Sequence, residues 1–169
     1  MTAPSSVEAW LGGPVPGIDP ILMPVAHALL QARRDLEKAA GEATPADLWE
    51  RPGGAAPAGY HLRHLAGSLD RLTTYARGER LTDMQRAALA AESTTGATAE
   101  ELITAACETI DRALEQLRRT PAASVFDART VGRAALPANV LGLLFHAAEH
   151  TTRHVGQLIT TLKVVRGTR

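Results

Sequence analysis

Four stretches of the chain carry apolar residues at three- and four-residue steps, and Pro or Gly punctuates every gap between them. That period places the apolar side chains on one face of a helix, and it is the pattern that most restricts the folds open to this sequence. The first stretch opens on Asp19-Pro20, a helix cap followed by Pro at the first helical position. It carries Ile21, Leu22, Val25, Leu29 and Leu36 and stops at Gly41. The second spans about Ala58 to Arg77 with Leu62, Leu65, Leu69, Leu72 and Ala76, and Gly78 ends it. The third opens on Thr98 with Glu101 three residues later, a capping box, and lines Leu102, Ile103, Ala106, Ile110, Leu114 and Leu117 along one side before Pro121. The fourth runs from about Ala138, behind Pro137, to Arg166, with Gly167 closing it.

Between these stretches lie a short helical turn from Thr44-Pro45 to Trp49, a Pro/Gly-rich loop from Arg51 to Gly59, and a long connection from Gly78 to Ala97. A short helix is expected in that connection around Asp83 to Ala91. Arg129 to Leu136 reads as one extended piece with no partner strand. The expected fold is all-α: a four-helix bundle, up-down-down-up, with a long crossover between the second and third helices. Residues 20–169 form its single domain. Residues 1–19 are an irregular N-terminal arm, pinned by Trp10 and Leu11.

Composition narrows the function. Eighteen Lys+Arg balance eighteen Asp+Glu, and without a basic run nucleic acid is not expected as the partner. No apolar run approaches the ~20 residues of a membrane span, and residues 1–18 lack the basic start of a secretory signal. A single cysteine excludes an internal disulfide and a Cys-rich zinc site. These features suit a cytoplasmic protein. Cys107, in mid-helix, reads as a small core residue.

Five of the six histidines fall in two segments: His61 and His64 in the second helix, and His146, His150 and His154 in the fourth. At a four-residue step each histidine of the second group rises about 6 Å and turns about 40°, so the three form a slowly drifting row. That row borders the apolar arc of Leu144, Thr151, Leu158 and Leu162, with Glu149, Arg153 and Thr160 further out. His61 and His64 likewise flank the Leu stripe of their helix. If the two flanks face each other, the rings converge on a cleft, and neutral imidazole is a good ligand for zinc, nickel, iron or copper. The blander reading is that some of the five bond backbone carbonyls or sit in solvent. His146-Ala147-Ala148-Glu149-His150 also matches the inverted zincin pattern, which would make Glu149 a peptidase base. Such peptidases are much larger, and Glu149 reads instead as an ion-pair partner or a support for a ligand histidine.

His64-Leu65-Ala66 together with His150-Thr151-Thr152-Arg153-His154-Val155-Gly156-Gln157 resembles the DinB/YfiT-like family of metal-dependent bacterial proteins. Leu48-Trp49, Pro52-Gly53-Gly54 and the run from Ala66 to Tyr75 agree as well, so the resemblance covers about Asp19 to Arg166. It implies the bundle described above, often as a homodimer, with one divalent ion (zinc or nickel first, iron or manganese also suitable) held by His64, His150 and His154. It places His61 and His146 beside the ion as proton-transfer or substrate-contact groups, and Gln157 and Tyr75 in cofactor binding. Many members carry Arg where this chain has Val155, and His61 and His146 are not general to the family.

The activity the resemblance implies is a low-molecular-weight-thiol S-transferase using bacillithiol, mycothiol or glutathione on a small-molecule substrate. The alternatives are a metal-dependent hydrolase, a thiol-dependent isomerase, and a metal-binding stress-response dimer without turnover. A membrane-surface module fits less well, because Glu101, Glu108, Asp111, Arg112, Glu115, Arg118 and Arg119 mix charges on the polar face of the third helix.

Overall fold

The computed structural model describes residues 7–167. Its helices are α1 (Met23–Ala40), α2 (Pro45–Trp49), α3 (Ala58–Ala76), α4 (Asp83–Ala90), α5 (Ala99–Arg119) and α6 (Val140–Gly167). The fold is the all-α one expected, with one small addition: a hairpin of β1 (Ala128–Val131) and β2 (Leu136–Asn139).

The four long helices bury the stripes read from the sequence. Leu22, Leu29 and Leu36 of the first segment, Leu62, Leu65 and Leu69 of α3, Ile110 and Leu117 of α5, and Leu144, Leu158 and Leu162 of α6 are all essentially inaccessible and form one core. Thr151, fully buried among them, is tolerated because its hydroxyl donates to the Ala147 carbonyl at 2.8 Å. α3 packs on α5 and α6, and α1 packs on the same two. Arg33 and Glu37 of α1 meet Asp111 and Cys107 of α5, so these two helices run in opposite directions. α3 and α6 are also opposed, since His61 meets His154 and His64 meets His150.

Local signals fix the helix starts. Thr44, Thr82 and Thr98 each accept from the backbone N–H three residues on, and Asp47, Gln85 and Glu101 return a bond to the cap, which satisfies two orphan donors at each start. The Asp19 carboxylate accepts from Ile21 N at 3.0 Å and opens a 3-10 turn, Pro20–Leu22, that leads into α1.

Three local expectations are corrected. The extended piece after Arg129 does have a partner: Thr130 pairs with Pro137 and Val131 with Leu136 across an antiparallel ribbon. Pro137 therefore sits in β2 and not at a helix start. α6 begins only at Val140, where the Asn139 side chain accepts from Gly142 N at 2.7 Å and supplies the cap. Pro is tolerated in a two-stranded ribbon, which is all edge. The turn, Gly132 to Ala135, carries no Asn-Gly signal, and Ala135 takes a positive φ of 49°.

The arm is not pinned by Trp10 and Leu11, which are 61% and 57% exposed. Ala9 and Ile18 are the buried residues. Polar side chains of α1 hold the backbone instead: Gln31 accepts from Ala9 N at 2.9 Å, and the His27 ring lies 2.9 Å from the Gly13 carbonyl. Residues 1–6 of the expected arm lie outside the described residues.

Trp49 locks the start of α3. Its indole N–H donates to the Ala97 carbonyl at 3.1 Å, and its ring lies so close to Gly59 that a Cβ there would stand 2.7 Å from the ring. Among the described residues no helix is long and apolar enough to cross a membrane. Gly59→Ala is expected to destabilise the fold by about 1–3 kcal/mol through this overlap, read by urea denaturation. Unchanged stability would show that Trp49 moves freely.

Candidate metal centre

The drift of the α6 row decides how deeply each ring lies. His146 is exposed, His150 half-buried and His154 buried, because each four-residue step rotates the side chain further toward the core. On α3, His61 is buried and His64 half-buried. The antiparallel packing then sets His64 against both deeper rings of α6. The His64 ring centroid lies 5.1 Å from that of His150 and 4.5 Å from that of His154, and His150 and His154 are 4.6 Å apart. One nitrogen from each of the three lies within 4.8 Å of the other two, a grouping that could hold a metal ion.

The hydrogen bonds assign the protons. His64 Nδ1 lies 2.7 Å from Glu92 Oε2, and a carboxylate only accepts, so the His64 proton is on Nδ1 and the lone pair on Nε2. That Nε2 faces His150 Nε2 at 2.9 Å. His154 Nδ1 lies 3.0 Å from His61 Nδ1, and the His61 ring is also bonded to the Ala56 carbonyl. The tautomers that satisfy both contacts have His61 donating to Ala56 and His154 donating from Nδ1 to His61, which leaves His154 Nε2 bare. His150 Nδ1 is buried without a hydrogen-bond partner.

Burial is the first cause that drives protons off the cluster. It pushes His154 down to about 3, with the His64, His150 and His61 rings adding to the effect. Burial first, and then His64, lowers both His61 and His150. His64 Nε2 accepts from His150 Nε2 and His154 Nε2 is bare, so the three imidazoles offer one donor nitrogen each within 4.8 Å of one another, a set a divalent cation fits on displacing the His150 proton.

The structure also shows residues that sequence reading missed. Glu92, buried in the crossover, bridges His64 and Arg71, whose Nη1 donates to Glu92 Oε1 at 2.7 Å. Tyr60 stacks on His64, with centroids 5.4 Å apart and planes 11° apart. Tyr60 sits four residues before His64, a spacing that marks a neighbour on a helix. Glu92 carries no local signal, because its role depends on where a 20-residue connection returns to α3.

The remaining expected site residues are placed differently. His146 lies at the solvent edge, its ring 5.4 Å from His150 and its Nδ1 3.4 Å from Glu149 Oε2. Glu149 also pairs with Arg153, whose hydrogen bond is the main reason its carboxyl titrates below the usual range. Gln157 is exposed, about one turn beyond His154. Tyr75 lies eleven residues after His64, about 16 Å along α3, and packs against the core. It does not join the cluster. A groove of about 500 Å³ near the C-terminal ends of α3 and α5, lined by Arg77, Arg112, Arg119 and Arg129, contains none of the five histidines.

The sequence model of the DinB superfamily matches residues 28–158, a span that holds all three converging histidines. The chain belongs to the DinB superfamily. Among solved structures, it is similar to a conserved protein from Enterococcus faecalis, at 15% identity and a TM-score of 0.71, covering 86% of this chain and 97% of that one. At that identity the likeness concerns the fold. No curated protein matches the chain.

The titration directions make a prediction for the metal-free protein. A histidine lowered from 6.5 to about 3 by folding binds more protons when unfolded, so stability is full above about pH 6.5 and is lost as pH falls toward 3. The melting temperature of wild-type protein is expected to fall between pH 7 and pH 4.5. His154→Asn is expected to flatten that slope. Equal slopes would show that His154 does not resist protonation.

Proposed function

We propose that the chain is a divalent-metal-dependent enzyme that transfers a low-molecular-weight thiol to a small electrophile, with His64, His150 and His154 as the ligands. The observation that carries this reading is the convergence of three imidazoles, their donor atoms within 4.8 Å of one another, at the junction of α3 and α6. Membership of the superfamily supports it. Three protein ligands leave a coordination position open, which distinguishes catalytic from structural sites. When bound, the ion supplies a Lewis-acid position that stabilises a thiol as its thiolate.

The chain's own residues account for the proton. His146 is half exposed at the edge of the cluster. With its Nδ1 proton directed at Glu149, its Nε2 is free to accept the S–H proton of an entering thiol. The sulfur then bonds to the electrophilic carbon, and the leaving group departs with its electron pair. His61 is not placed for this step: it is buried behind His154 and holds that ring in its tautomer. Cys107 is not the nucleophile either. Burial first, then the Glu37 carboxylate that its S–H meets at 3.3 Å, pushes its thiol up to about 11.

His150→Ala is expected to lose both the metal, by elemental analysis, and thiol transfer. His146→Ala is expected to retain the metal and turn over about 10²–10⁴-fold more slowly, the range of general base catalysis. Thiol consumption that survives stripping of the ion would overturn the reading. Ester or amide hydrolysis without thiol would redirect it to a hydrolase, and equal behaviour of loaded and stripped protein on an electrophile and ester panel would favour a protein without turnover. Cys107→Ser is expected to keep full activity, and Cys107 to react far more slowly with iodoacetamide at pH 8 than free cysteine does.

A further inference from the structure

α3 carries a glycine at its centre, Gly67, where alanine would favour the helix. The structure shows what occupies the missing side chain's place. A Cβ built on Gly67 would stand 2.8 Å from Arg71 Nη1 and 2.9 Å from Glu92 Oε1. The recess therefore admits the Arg71–Glu92 pair against α3, and the other oxygen of Glu92 takes the Nδ1 proton of His64. Glu92 is a buried carboxylate with both oxygens committed, and Arg71 is nearly as enclosed. Such a pair is costly to bury and is held only where its geometry is well satisfied. Two neighbouring bonds hold the crossover there: Arg63, one residue before His64, donates to the Ala91 carbonyl at 3.2 Å and to the Thr94 carbonyl.

We infer that Glu92 is a positioning residue for the histidine cluster. It fixes His64 as the Nδ1–H tautomer with Nε2 turned to the other rings, and Gly67 is the recess that lets it do so. The inference rests on the metal reading for its consequence, but its first claim, the tautomer of His64, stands on the chain alone. A carboxylate behind an imidazole makes it a stronger donor and removes the freedom to turn away, and loss of such a partner typically weakens metal binding 10–100-fold. It also makes cation binding and the order of the crossover reciprocal: whatever detaches Glu92 weakens the cluster, and a bound cation holds residues 91–94 in place.

Two variants of the full-length protein test this. Glu92→Gln removes the carboxylate but leaves Arg71 buried with a poorer partner, which lowers stability, and Gly67→Ala supplies the control. It changes no ionisable group, improves the helix, and displaces only the flexible ends of Arg71 and Glu92. Zinc affinity is measured by competition with a chelating dye, and the His64 tautomer of the metal-free protein by long-range proton–nitrogen NMR. In Gly67→Ala the expected result is a protein that still unfolds cooperatively, its helix gain offset by the displaced pair, with zinc affinity reduced 10–100-fold and His64 no longer held as a single Nδ1–H species. That combination is one a merely structural residue would not give. Zinc affinity within twofold of wild type in both variants, with His64 still Nδ1–H, overturns the inference. If wild-type protein and His150→Ala bind zinc equally weakly, the metal reading fails, and the tautomer measurement alone then decides whether Glu92 positions His64.

Discussion

The structure depends on the face-to-face packing of α3 and α6. Each helix keeps its leucines for the common core and sets its histidines on the border of that core, and opposing chain directions turn a pair and a row into one cluster. The cost is the removal of several imidazoles from water. It is met by keeping them neutral and by giving most ring nitrogens a partner: a carboxylate for His64, a neighbouring ring for His154, a backbone carbonyl for His61. His150 Nδ1 is buried without a partner, a departure from the usual pairing of buried polar atoms.

Much of this was legible beforehand because helices announce themselves locally. The 3.6-residue period gave the buried stripes of α3, α5 and α6, and the Thr-x-x-Glu pattern at Thr98 located the start of α5 to the residue. The arithmetic that makes a four-residue step drift by about 40° gave the row of His146, His150 and His154, and the structure shows that drift as a gradient of burial. What failed was non-local or carried weak local signals. Pro137 suits a helix start and a ribbon edge equally, and nothing within a few residues of it says that Thr130 lies opposite. Trp10 and Leu11 look like anchors by hydrophobicity, whereas Gln31 and His27 do the holding through backbone bonds.

The site was legible to the same degree and for the same reason. Residues that approach the cluster along a helix, His61, His64, His150 and His154, were found by spacing. Glu92 was not, since it arrives from the crossover, where its position depends on the whole path between two helices. Tyr75 shares a sequence run with His64, but three helical turns carry it to another part of the core.

The crossover itself is more constrained than its length suggests. Gln85 reaches back to Asp70 and Thr74 of α3, at 2.7 and 2.8 Å, Glu92 is fastened to His64 and Arg71, and Ala97 accepts from Trp49 before Thr98 caps α5. A connection stitched at such intervals behaves as several short loops rather than one long one, and each closes at a smaller entropic expense. A protease would find little slack in it, and an added or deleted residue between Gln85 and Ala97 would be felt at every stitch downstream.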